Sequence, residues 1–157
     1  MKKIKTALVS VYNKNNLKPI LQILKKYNVK IISSGGTYKE IKKQKFSCLE
    51  VSDFTNSPEI LEGRVKTLHP KIHAGILNKR NNKKHLNDLK KNDFENIDLV
   101  IVNFYPFEKT LETTNNHKKI IENIDVGGPT MVRSAAKNYD DVTVVISTDQ
   151  YQELIDE

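Results

Sequence analysis

Apolar and polar positions alternate in blocks along this chain, and the period of each block predicts its element. Residues 5–11 form an apolar run that breaks into polar Tyr12-Asn13-Lys14, the pattern of a buried strand feeding a loop. Leu17, Ile20, Leu21, Ile23 and Leu24 then recur at helical spacing, which predicts an amphipathic helix over about residues 15–27. Pro19 falls in its first turn, where proline is tolerated. Residues 29–33 read as a second strand, followed by Ser33-Ser34-Gly35-Gly36-Thr37. Thr37 is placed to cap a helix carrying Ile41, with Glu40 three residues on. Residues 46–51 read as a third strand. Residues 53–77, broken by Pro58, Gly63, Pro70 and Gly75, read as a long irregular segment of the kind that carries function. A polar helix is expected over 83–91, and residues 97–103 are the clearest strand, ending at Phe104-Tyr105-Pro106. Helices over 118–124 and 130–138 flank Asp125-Val126-Gly127-Gly128-Pro129. A last strand over 142–146 precedes a helix that begins with a capping pattern at Thr148.

Strands alternating with helices predict an α/β fold with a mostly parallel sheet of about five strands covered on both faces. Ligands of such sheets sit beyond the carboxyl ends of the strands. The 157 residues suit one domain, and 38% hydrophobic with 29% charged residues is a globular balance. No apolar run reaches the ~18 residues of a membrane span. The basic N-terminus lacks the long apolar core of a signal peptide. Cys48 is the single cysteine, so no internal disulfide is possible, which suits a reducing, cytoplasmic setting. The net charge of +7 raises the question of an anionic partner. The lysines are scattered and interleaved with acids, with no aromatic-interleaved basic stripe, so neither nucleic acid nor a membrane surface is expected.

Four loops carry candidate chemistry. Lys14, after the first strand, offers a point charge for phosphate, or is a solvated residue at a helix start. Ser34-Gly35-Gly36-Thr37 lets the backbone approach an anion at a helix N-terminus, and phosphate binding is favoured there over a plain tight turn. The loop matches neither a Walker nor a Rossmann pattern. The third stretch, Glu62 to Gly75, holds Arg64, Lys66 and Thr67, suited to anions. It also holds His69 and His73 at a spacing that a helix could use for a metal. Pro70 between them argues against a helix, so they read as hydrogen-bonding scaffold or substrate contacts. In the fourth, Asp125 precedes a glycine pair and Lys137 lies further along the following helix. A carboxylate and a lysine brought together can share a proton. From spacing alone, a helix-dipole carboxylate and a surface lysine is the better reading.

Taken together the motifs are more specific. Ser-Gly-Gly-Thr, Gly-Arg-Val-Lys-Thr-Leu-His-Pro-x-x-His-Ala-Gly-Ile-Leu, Asn-x-Tyr-Pro-Phe and Ile-Asp-x-Gly-Gly-x-Thr-x-x-Arg-x-Ala-Ala-Lys-Asn closely resemble the inosine monophosphate cyclohydrolase domain of bifunctional purine-biosynthesis proteins. The resemblance runs from about residue 6 to residue 151. It implies a methylglyoxal-synthase-like three-layer sandwich that closes the ring of 5-formamidoimidazole-4-carboxamide ribonucleotide to inosine monophosphate, with no metal or organic cofactor. It also implies Lys137 as proton donor and acceptor working with Asp125, and Lys66 stabilising and protonating the formyl oxygen. Asn103 and Tyr105 would orient that end. Tyr12, Asn13, Lys14, Ser34, Gly35, Gly36 and Thr37 would hold the phosphate and ribose. Arg64, Val65, Thr67, Val102, Val126 and Gly127 would complete the pocket. The full-length proteins of this family are homodimers, largely through a formyltransferase half that is absent here.

This chain departs from the family in two places. Tyr12 stands where the family has a serine, and the chain stops at Glu157, some tens of residues before the family's domain closes. Residues 1–157 are therefore expected to be a cyclohydrolase domain shortened at its C-terminal end. A competing reading is a non-catalytic nucleotide-sensing module, like the allosteric domain of carbamoyl phosphate synthetase. That relative shares the glycine loop but lacks the Lys-Thr-Leu-His-Pro and Ala-Ala-Lys-Asn motifs found here. Methylglyoxal synthase itself would need catalytic aspartates near the glycine loop, an arrangement this chain does not show.

Overall fold

In the computed structural model, which describes residues 3–156, the first apolar run is β1 (Thr6–Val11). Helix α1 (Leu17–Lys26) follows and buries Leu17, Ile20, Leu21 and Leu24, the single stripe that its spacing dictates. Next come β2 (Lys30–Ser33), α2 (Gly35–Lys43), β3 (Leu49–Glu50) and α3 (Val51–Thr55). A first 3-10 turn (Leu61–Gly63) precedes α4 (Pro70–Leu77) and α5 (Lys83–Lys91). The chain continues through β4 (Leu99–Asn103), α6 (Phe107–Thr113), α7 (His117–Glu122), α8 (Gly127–Lys137), β5 (Thr143–Val145) and α9 (Tyr151–Asp156).

The five strands form one sheet in the order β3-β2-β1-β4-β5, and every pair is parallel. Successive side chains of β1 alternate between the two faces of the sheet. Ala7, Val9 and Val11 join α1, Ile41 of α2 and Tyr151 of α9 on one face. Leu8 joins Val51 and Phe54 of α3, Ile72 and Ile76 of α4, and Met131 and Ala135 of α8 on the other. The result is a three-layer sandwich in which the strands are sealed between helices. Among the described residues, no helix is long and apolar enough to cross a membrane.

Several boundaries differ from the sequence expectation, each for a local reason. The expected strand over 46–51 shrinks to Leu49–Glu50, which pair with Ile32 and Ser33 of β2 at the edge of the sheet. Val51 turns into α3 instead, where it is buried beside Phe54. The segment expected to be irregular contains α3 and α4. Pro70 does not prevent a helix here; it opens α4, at the first position, where a missing N–H costs nothing. Helix α2 starts at Gly35 rather than after Thr37, since Gly35 adopts φ +55 and Ser34 occupies the cap position. Helix α8 begins three residues earlier than expected. Helix α6 was not expected at all, and no residue in it is buried, so it has no apolar stripe to betray it. At the chain's end Ser147 and Gln150 form a capping box around a 3-10 turn (Thr148–Gln150), and α9 starts after it.

Candidate functional site at the carboxyl edge of the sheet

The strand order reverses between β1 and β4, and such a switch point opens a crevice at the carboxyl edge. The β1 and β4 loops meet there. The Asn103 side chain accepts from Asn13 N at 2.8 Å and donates to Asn13 O at 2.9 Å. Its amide is thereby committed to holding the loop that carries Lys14. Tyr12 and Tyr105 lie beside this clamp with ring centroids 5.1 Å apart and planes tilted by 54°, both about half exposed.

Beyond β2 lies the glycine turn. The Thr37 hydroxyl is buried, accepts from Val11 N at 3.0 Å and donates to Val11 O at 2.9 Å. It therefore ties α2 to the end of β1, and what this residue can still offer a ligand is its backbone. The first N–H groups of any helix lack intrahelical partners, so Gly35, Gly36 and Thr37 present donors to the crevice. Two ammonium groups flank them. Lys14 Nζ donates to Tyr12 O at 3.0 Å and lies 3.8 Å from where a methyl group on Gly36 would sit. Lys66 Nζ lies 3.3 Å from the corresponding point on Gly35. The Lys66 ammonium thus stands over the turn assigned to phosphate. Glu59 pairs with it, Oε2 to Nζ at 3.0 Å. Below the turn, the Ser33 hydroxyl is fully buried and finds no hydrogen-bond partner among the described residues.

Thr67 carries the contacts on to α8. Its buried hydroxyl is 2.8 Å from where a methyl on Gly127 would project, so only glycine fits there. Asp125 Oδ1 accepts from Gly128 N at 2.9 Å, the geometry of a carboxylate at a positive helix end. Gly128 is equally constrained, since a methyl group would meet Asp125 Oδ2 at 2.6 Å and the Phe104 ring at 3.0 Å. A run of close approaches therefore leads from Lys14 and Gly36 through Gly35, Lys66, Thr67 and Gly127 to Gly128, Asp125 and Phe104.

The remaining predicted residues are placed differently. The Arg64 guanidinium is taken up by Glu122 of α7, a hydrogen bond that holds the Glu122 carboxyl below the usual range. Val65 pairs with Ile60 in an isolated antiparallel bridge. The Val102 side chain is buried in the core behind β4. Val126 stands exposed just before α8. His69 caps α4 by accepting from Lys71 N at 3.1 Å. His73 Nδ1 lies 3.0 Å from the Ser134 hydroxyl, so each histidine has a scaffold partner. Burial lowers the His73 pKa. No group of three or more metal-ligating side chains occurs among the described residues.

Lys137 stands apart from these contacts. It is the last residue of α8, ten steps of about 1.5 Å beyond Gly127, so its backbone lies about 15 Å along the helix axis from that glycine. It is exposed near the amino edge of the sheet, beside Asn138, which donates to Ile76 O and Asn78 O.

Against this geometry, the family described as the MGS-like domain matches residues 16–130. This chain belongs to the MGS-like domain family. The bifunctional purine biosynthesis protein PurH of Prochlorococcus marinus subsp. pastoris is 55% identical over 152 residues, 96% of this chain and 29% of that protein. The PurH of Clostridium kluyveri is 49% identical over 154 residues, 98% of this chain and 31% of that protein. The chain thus spans about three tenths of the length of these curated relatives. The crystal structure of ForH superimposes with a TM-score of 0.85 at 29% identity, covering 98% of this chain and 79% of that one.

Proposed function

We propose that this MGS-like domain is an inosine monophosphate cyclohydrolase, closing the ring of the formamido ribonucleotide with loss of water. One observation carries the reading: the Lys66 ammonium stands over the Gly35 turn, while its neighbour Thr67 abuts the α8 N-terminus beside Asp125. A cation, a set of free backbone donors and a carboxylate converge on one crevice. The relatives named as purine biosynthesis proteins supply the class of nucleotide.

Ring closure makes simple demands. The carboxamide nitrogen is a poor nucleophile and must lose a proton as its bond to the formyl carbon forms. The formyl oxygen gains negative charge and departs as water, so it needs a donor beside it. Reaction within one molecule already has a favourable effective concentration, which leaves the protein to fix the reactive rotamer and the charges. Here Lys14 and the Ser34–Thr37 turn hold the phosphate. Lys66 reaches between that turn and the reacting end, and Asp125 with Tyr105 faces the heterocycle. The resemblance gives Lys137 the proton-transfer role, and its backbone lies at the far end of α8 from Asp125. The same separation favours, as a second reading, a module that binds the nucleotide without turning it over.

The phosphate assignment is tested by titrating the chain with inosine monophosphate and with inosine. Each charge-assisted hydrogen bond contributes ~1.5–3 kcal/mol. Loss of the phosphate should therefore weaken binding about 100-fold. Equal affinity for the two would remove the phosphate site from the account.

A further inference from the structure

We propose that Glu59 is a positioning residue that fixes the Lys66 ammonium over the glycine turn, a role that rests on the phosphate-site reading above. The local fold is built around this pair. Ile60 and Val65 form an antiparallel bridge, with N–H···O distances of 3.2 and 3.3 Å. Between them the chain reverses through Leu61 and Glu62, and Gly63 N donates to Ile60 O at 3.1 Å. Leu61 and Glu62 adopt φ values of 54° and 53°. The left-handed region strains a residue with a side chain, and neither position carries the asparagine or glycine that would ease it. Strain of this kind persists where the surroundings over-determine it.

The turn brings together Glu59 and Lys66, the next residue out on each arm. Their side chains fold back across Gly63, whose φ is 90°. A methyl group there would lie 2.5 Å from Glu59 Oε1, 2.7 Å from Lys66 Cε and 2.9 Å from its Nζ. The missing side chain is the space in which the ion pair lies. Both partners are partly exposed, at 31% for Lys66 and 44% for Glu59. Such a pair adds little to stability, so its value lies in placement. An ammonium has three donors; Glu59 takes one, which leaves others for an anion at Gly35. A lysine already fixed does not have to be ordered when the ligand arrives.

The test combines binding with a direct view of the lysine. Glu59→Ala should weaken inosine monophosphate binding about fivefold to tenfold, the range expected from immobilising one side chain. Glu59→Gln keeps an acceptor and should stay within about twofold of the parent. In a Lys66→Met background, Glu59→Ala should change nothing further. In the lysine side-chain ¹⁵N–¹H spectrum, the Lys66 signal (assigned with Lys66→Arg) should be visible in the parent chain and lost to water exchange in Glu59→Ala. Unchanged or tighter binding by Glu59→Ala would overturn the proposal, as would an equal loss without Lys66. If the parent chain binds no inosine monophosphate, the phosphate reading fails. The NMR comparison still decides the role of Glu59.

Discussion

Thr37 marks the boundary between what one residue's neighbours in sequence reveal and what its neighbours in space decide. Its position after two glycines suggests a helix cap, yet its hydroxyl bonds both backbone groups of Val11, 26 residues away. Gly35 lets α2 begin earlier, and so frees Thr37 for that tie. The glycine turns and the lysines beside them were readable because each motif is contiguous. Their partners were not, because Asn13 with Asn103 and Arg64 with Glu122 are pairings across 90 and 58 residues. Glu59 lies seven residues before Lys66, and although Gly63 marks a break between them, nothing in the sequence says that the break folds Glu59 back onto Lys66. Cys48 shows burial acting on chemistry. Desolvation pushes its thiol up to about 12, so the reactive thiolate is scarce at neutral pH. Alkylation by iodoacetamide at pH 8 should be slow in the folded chain and at least about tenfold faster in denaturant. Equal rates, followed by mass spectrometry, would contradict that burial.

At the level of elements, periodicity served where an element buries a stripe and failed where it does not. Helix α1 exposes its pattern in Leu17, Ile20, Leu21 and Leu24, whereas α6, which buries nothing, was not expected. Helix α4 was obscured by Pro70, read as a breaker although the same residue favours a first turn. Helix α8 has the largest consequence, because its length separates two residues that the sequence motif joins. Asp125 sits at its positive end and Lys137 at its far end. With α8 intact, Lys137→Ala should leave the affinity of the isolated chain for inosine monophosphate within about twofold, since the lysine's backbone lies about 15 Å along the helix from Gly127. A loss of tenfold or more in a calorimetric titration of the monomeric chain would mean that the helix does not hold the two ends apart.

For the whole molecule, alternating strands and helices foretold a covered parallel sheet, and right-handed crossovers leave few ways to order it. The observed order puts the reversal between β1 and β4, so the Tyr12–Lys14 loop, the glycine turn, Lys66–Thr67 and the α8 N-terminus share one edge. Of the chain's 26 lysines and arginines, Lys14 and Lys66 stand at the glycine turn on that edge. The decisive measurement is the ultraviolet absorbance of the formamido ribonucleotide incubated with the chain. The account predicts conversion to inosine monophosphate by the parent chain and a loss of at least about 100-fold for Lys66→Met, the scale on which one preorganised donor acts on a developing oxyanion. Tight binding of inosine monophosphate with no conversion, or unchanged conversion by Lys66→Met, would contradict it.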